Sequence, residues 1–206
     1  MPKTYFMYIP WGKLAAGEYK YKDTKTLWQN QLAGGPEEHR KQFSIVYKDT
    51  TGTPFKFIDD GNEVTIYVRG HGSVGGGEVH KQIDRATGFG IGPAEAKDIV
   101  SGIISKGLKE NFSGKIKFYN CHSAEGELSF AAQCASFFRK KSFNNAQFFG
   151  YTGEVSGFYQ TPGDYVNSTK QRDQNLLEGI EDRQSVHKWV IIQGTLVRAS
   201  KARSQF

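Results

Sequence analysis

Between residues 64 and 151 the chain alternates strand, helix, strand, helix, strand, and this alternation restricts its fold more than any other feature. Val64-Thr65-Ile66-Tyr67-Val68 is a short β-branched run, apolar on both faces, of the kind that fills the middle of a parallel sheet. It ends in Arg69-Gly70-His71-Gly72. Pro93 suits a first helical position and Glu95 a first turn. Ile99, Val100, Ile103, Ile104 and Leu108 then recur on one helical face, and residues 111–114 end that helix. Residues 115–120 (KIKFYN) read as the next strand and run straight into Cys121-His122. A second helix is predicted over 125–140, with Leu128, Ala131, Ala132, Ala135 and Phe138 on one face, followed by a strand at 146–151. Strands joined through helices need crossover connections. The predicted class is therefore α/β, a three-layer sandwich with a mostly parallel central sheet flanked by helices.

Outside this centre the pattern is weaker. Strands are predicted at 3–9, 43–47 and 55–58, and a weak helix at 25–33 that stops at Gly34-Gly35-Pro36. Residues 59–62 (DDGN) signal a turn, and the glycine-rich stretches 70–77 and 86–92 read as loops. A short helix is expected at 175–184, a strand pair or bent strand around Gly194 at 189–197, and a frayed basic tail at 201–206. The 206 residues suit one domain, 1–206, with a core at about 43–155 and a C-terminal extension at 156–206. Aromatic residues at 14% are enough to fill a core and argue against disorder. No apolar run approaches the roughly 18 residues of a membrane span. No apolar stretch ending in small residues opens the chain, so a secretory signal is not read and a cytoplasmic protein is expected.

Chemistry enters at two strand ends. Ligands and catalysts in α/β sheets sit at the carboxyl ends of strands. One predicted strand ends near His71 and another at Cys121, 50 residues later, with one helix between them. A single crossover makes the two strands parallel and near neighbours, so both side chains should emerge on one sheet edge. A thiolate is the reactive form of cysteine, and both a following helix N-terminus and a nearby imidazole would favour it. The amides of Gly72 and Cys121 could hold an oxyanion. Cys134, on an alanine-rich helix face, reads as a packing residue. His39, His80 and His187 read as structural or exposed. His122 ranks below His71, because adjacent side chains point apart. Gly70-His71-Gly72-Ser73-Val74-Gly75 spells G-x-G-x-x-G, but no helix opens at the third glycine, so a dinucleotide loop is not read. Close Cys/His ligand pairs are lacking, so no metal is expected. Lys and Arg are scattered among 21 acidic residues despite a net charge of +6, so nucleic acid is not expected as a partner.

These residues resemble a known group. VTIYVRGHGS, a glycine-rich loop, GIGPAEAKDIVSGIISKGL, KIKFYNCHSAEG and QFFGYTGEV together look like the caspase-like (clan CD) cysteine peptidases. Within that clan the stretch is most similar to the autoprocessing cysteine protease domains of RTX-type and large clostridial toxins. The resemblance implies a His71–Cys121 dyad, an acyl-thioester intermediate, and a protein or peptide substrate that could include the chain itself. It implies no cofactor for the chemistry. It also implies an activator, inositol hexakisphosphate, for which Lys188, Arg198, Lys201 and Arg203 are the candidate ligands. By the same analogy the chain would be a bacterial toxin or effector protease, delivered into a host cell by a signal-independent route, or an intracellular processing protease. The caspase pentapeptide around the cysteine is absent, so aspartate specificity is not implied. The competing readings are a non-catalytic caspase-like effector or protein-binding module, and a deamidase or acyltransferase using the same pair.

Overall fold

The computed structural model describes residues 4–13, 42–58, 63–83, 90–155 and 189–206. In chain order the described elements are β1 (Thr4–Ile9), β2 (Gln42–Tyr47), β3 (Val64–Arg69), β4 (Glu78–Ile83), β5 (Gly90–Glu95), α1 (Ala96–Ser105), β6 (Lys115–Tyr119), α2 (Phe130–Arg139), β7 (Gln147–Tyr151), β8 (Glu154–Val155), β9 (Trp189–Ile192), β10 (Thr195–Arg198) and β11 (Arg203–Gln205). The fold is α/β, built on a six-stranded sheet of order β11-β7-β6-β3-β1-β2. Every pairing from β2 to β7 is parallel, and only β11 runs antiparallel, along β7. The sheet thus reaches past residues 43–155 at both ends, taking in β1 and β11.

The β-branched run at 64–68 forms β3, between β1 and β6. It is buried on both faces because alternate residues feed two cores. Ile66 and Val68 join Tyr8, Ile116, Phe118 and Phe148 in one cluster, covered by Ile99, Val100 and Ile103 of α1 and by Phe130, Ala131, Cys134 and Phe138 of α2. Tyr67 joins Met7, Ile9, Tyr119, Tyr151, Val155 and Val190 on the opposite face. Edge-on ring contacts link Tyr67 to Tyr119 (5.9 Å) and Tyr119 to Tyr151 (4.9 Å) across that face. Cys134 is fully buried, in keeping with a packing role.

Several local expectations need correction. Residues 55–58 form a turn, not a strand. Phe55 and Ile58 both reach the core while Phe57 is 81% exposed, so the apolar spacing is that of a helical turn. The Phe55 N–H is taken by the Lys106 carbonyl (2.9 Å). The helix expected from Pro93 begins at Ala96, because Gly90–Glu95 pairs antiparallel with β4. Pro93 is tolerated there because a two-stranded ribbon has open edges where a missing N–H breaks no ladder bond. The helix expected over 125–140 begins at Phe130, where the Ser129 side chain accepts the Ala132 N–H (3.4 Å). Leu128 precedes that cap and is 71% exposed, not packed. The tail predicted to fray carries β11, which closes the edge of β7. The expected strand pair around Gly194 is present as β9–β10, with Gln193 and Gly194 both at positive φ (48° and 75°), the geometry of a tight hairpin turn. The helices expected at 25–33 and 175–184 and the turn at 59–62 lie wholly or mainly outside the described residues. No described helix is long and apolar enough to cross a membrane.

Candidate active site

The register of β3 and β6 sets the site. Arg69 pairs with Tyr119, and His71 and Cys121 each follow by two residues, so both leave the carboxyl edge at the same level. His71 is anchored by reciprocal backbone hydrogen bonds with His80, both 2.8 Å, which tie the loop after β3 to β4. That loop continues into β4 rather than into a helix. Gly72 lies directly on the Cys121 backbone. A Cβ there would sit 2.2 Å from the Cys121 carbonyl oxygen and 3.2 Å from the Asn120 Cβ, so only glycine permits this approach. The His71 loop and the Cys121 turn are thus packed together. The His71 ring and the Cys121 thiol share no hydrogen bond among the described residues.

The Cys121 turn is held firmly from beneath. Ser123 is buried, donates to the Phe118 carbonyl (2.7 Å) and accepts the Tyr151 N–H (2.9 Å). The Ala124 N–H reaches the Tyr151 carbonyl (3.0 Å) and the His122 N–H the Gly153 carbonyl (2.8 Å). His122 itself lies at φ 55°, an uncommon conformation for a residue with a side chain and one that concentrates at functional sites. Its ring is turned to Glu125, with Nδ1 2.9 Å from Oε1. Asn120 is fully buried and neither of its amide atoms has a partner among the described residues. A buried amide left so costs about 1–3 kcal/mol per group.

The electrostatics are those of a neutral pair. Burial raises the Cys121 thiol, and Glu154 adds to this. The Val155 N–H, the positive charge of Arg69 and the Cys121 N–H act in the opposite sense but do not overcome it. Burial lowers the His71 imidazole to about 4, aided by the charges of Arg69 and His80. His71 as a residue is exposed, so the direction is the property that matters: the ring is neutral at pH 7. The helix dipole invoked for the thiolate is absent here, because α2 starts nine residues beyond Cys121 and such effects fade within a turn.

Arg69 escaped the sequence reading. Its Nη1 donates to the Tyr119 carbonyl (3.0 Å), its guanidinium lies over the Tyr119 ring at 5.5 Å, and its Nε is buried without a partner among the described residues. The signal was present, since a lone cation closing an apolar strand two residues before a histidine occupies the same strand face as Tyr67. Glu154 and the Val155 amide were missed as well, because their influence on Cys121 depends on the β7–β8 connection, as does the bond from the Gly153 N–H to Glu125. Of the oxyanion candidates, the Gly72 N–H has no acceptor among the described residues.

Of the basic candidates, Lys188 lies outside the described residues. Arg198, Lys201 and Arg203 fall on the turn from β10 to β11, where the Arg198 carbonyl accepts the Lys201 N–H (2.8 Å). The Arg203 guanidinium stacks on Phe149 at 4.9 Å. Among the described residues no three His, Cys, Asp or Glu side chains gather as a metal ion would need. No family model matches the chain, and no curated protein matches it.

Proposed function

We propose that the chain is a caspase-like cysteine endopeptidase of the toxin or effector type, acting in a cytoplasm, with Cys121 as nucleophile and His71 as acid/base. The observation that carries this reading is the packing of Gly72 on the Cys121 backbone, which joins two strand ends bearing an imidazole and a thiol. A neutral thiol and a neutral imidazole on one sheet edge suit a pair that ionises on meeting substrate. The Cys121 proton passes to His71 as sulfur attacks the peptide carbonyl carbon. The Gly72 N–H takes the developing oxyanion, and the Cys121 N–H joins it as charge leaves the sulfur. His71 returns the proton to the leaving amine, which frees the new N-terminus and leaves an acyl-thioester. Water then attacks with His71 as base, and the acid product and free thiol result.

The test is product mass after incubation of the chain with a mixture of unfolded proteins. Cleavage shows as two new fragments whose masses sum to the parent plus one water. Release of ammonia without fragments would favour the deamidase reading, and an unchanged mixture the protein-binding module.

The pH profile carries a further expectation. A histidine lowered from the ordinary 6.5 to about 4 stays neutral in the folded chain while the unfolded chain takes up a proton. Its contribution to stability is fully present above 6.5 and is lost as pH falls towards about 4. The acid limb of kcat/KM should therefore lie below the ordinary histidine value. Arg69→Gln removes one of the charges that hold it down, so its acid limb should move upward. An acid limb at the ordinary value in both proteins would count against His71 as the base.

The basic turn at Arg198, Lys201 and Arg203 completes the proposal as the site of a polyphosphate activator, inositol hexakisphosphate. Calorimetric titration should give heat with this ligand, reduced in Arg198→Ala/Lys201→Ala. No heat would remove the activator.

A further inference from the structure

Glu125 touches every segment that meets at Cys121. Its carbonyl accepts the Gly75 N–H (3.2 Å) from the loop that carries His71. Its own N–H donates to the His122 carbonyl (3.0 Å), closing the turn that begins at Cys121. Its carboxylate Oε1 meets the His122 Nδ1 at 2.9 Å and also accepts the Gly153 N–H. Gly153 in turn gives its carbonyl to the His122 N–H (2.8 Å) and lies two residues before Val155, whose N–H acts to lower the Cys121 thiol. Burial acts to raise the Glu125 carboxyl, but the Gly153 N–H and the His122 ring outweigh it and hold it below the usual range. The group is therefore a carboxylate at neutral pH, with one oxygen shared by two donors. No salt bridge to Lys or Arg among the described residues competes for it.

We infer that Glu125 is a positioning residue, whose carboxylate and backbone lock the His71 loop, the Cys121 turn and the β7–β8 connection into one register. The inference rests on the proposed dyad for its catalytic consequence, but not for its structural one. The link explains why His122 is held at positive φ. Its N–H is taken by the Gly153 carbonyl and its ring by the Glu125 carboxylate, which also holds the Gly153 N–H. Glu125 acts through Cys121 and Val155 and does not itself touch the reacting atoms.

Two readouts on the full chain test this. Hydrogen exchange of the amides of Gly75, Gly153 and Val155 should quicken together in Glu125→Ala, roughly tenfold or more as local opening becomes easier, while Ile116 in β6 exchanges as before. Glu125→Gln keeps an oxygen acceptor and should restore much of the protection. In turnover, Glu125→Ala should lose kcat by roughly 10- to 100-fold per alkylatable Cys121, with KM little changed, and Glu125→Gln should recover most of it. Faster exchange confined to Gly153, or an unchanged kcat, would overturn the inference. A wild-type chain without peptidase activity would count against the proposed function alone, and the exchange arm would still decide the role of Glu125.

Discussion

Replacing Cys121 with alanine is expected to lower peptide hydrolysis by roughly 1,000-fold or more, since loss of a nucleophile leaves only binding and oxyanion contacts. Stability should hardly change. The thiol is not part of the deep core, and the turn around it is held by backbone bonds and by Ser123, none of which the substitution touches. Cys134 supplies the contrast. It is fully buried between α1 and α2, its sulfur faces the Ala96 carbonyl at 3.9 Å, and burial drives its thiol well above the ordinary value. Cys134→Ala should therefore keep its turnover and lose stability instead. Hydrolysis rates with equal folded fractions, fixed by circular dichroism, separate the two effects. Hydrolysis that survives in Cys121→Ala would place the nucleophile elsewhere.

Gly72→Ala is expected to cost activity and stability together. The added Cβ would overlap the Cys121 carbonyl oxygen and crowd the Asn120 Cβ, neither of which is the free end of a flexible side chain. Relieving such an overlap costs about 2–3 kcal/mol. It does so by parting the two loops that the site needs together. A displacement of about an ångström at reacting groups lowers rates by roughly 100-fold. Gly75→Ala is the control. It sits in the same loop but a Cβ there meets no described residue within 4 Å, so its cost is confined to its positive φ of 67°. Thermal denaturation and kcat measured on both variants would distinguish them. Equal, small effects would mean that contact between the loops is irrelevant.

The central strands were legible in the sequence because burial on both faces leaves an unmistakable mark, as in Val64 to Val68. The meeting of His71 with Cys121 was legible for a topological reason: one crossover between parallel strands carries both strand ends to the same edge. Its details were not. The mostly polar run Glu78 to Ile83 and the Gly-Ile-Gly-Pro start of β5 have little strand character alone, and they pair where β4 is bridged to His71. β11 has no apolar pattern at all; it is ordered by the open edge of β7. The start of α2 depends on Ser129 as a cap, while Cys121 to Glu125 is spent on bonds to β7 and Gly153. For the same reason the groups that tune Cys121, namely Arg69, Glu154 and the Val155 amide, were invisible without the turn that gathers them.

The most direct measurement is intact-mass and peptide mapping after treatment with a set of peptidyl acyloxymethyl ketones, which label a cysteine only when a bound peptide presents its carbonyl to an active thiol. The expected result is one thioether adduct, on Cys121, none on Cys134, and labelling slowed by roughly 100-fold in His71→Ala. No adduct with any member of the set, or labelling of Cys121 that His71→Ala leaves unchanged, would contradict the assignment of Cys121 and His71 as a catalytic pair.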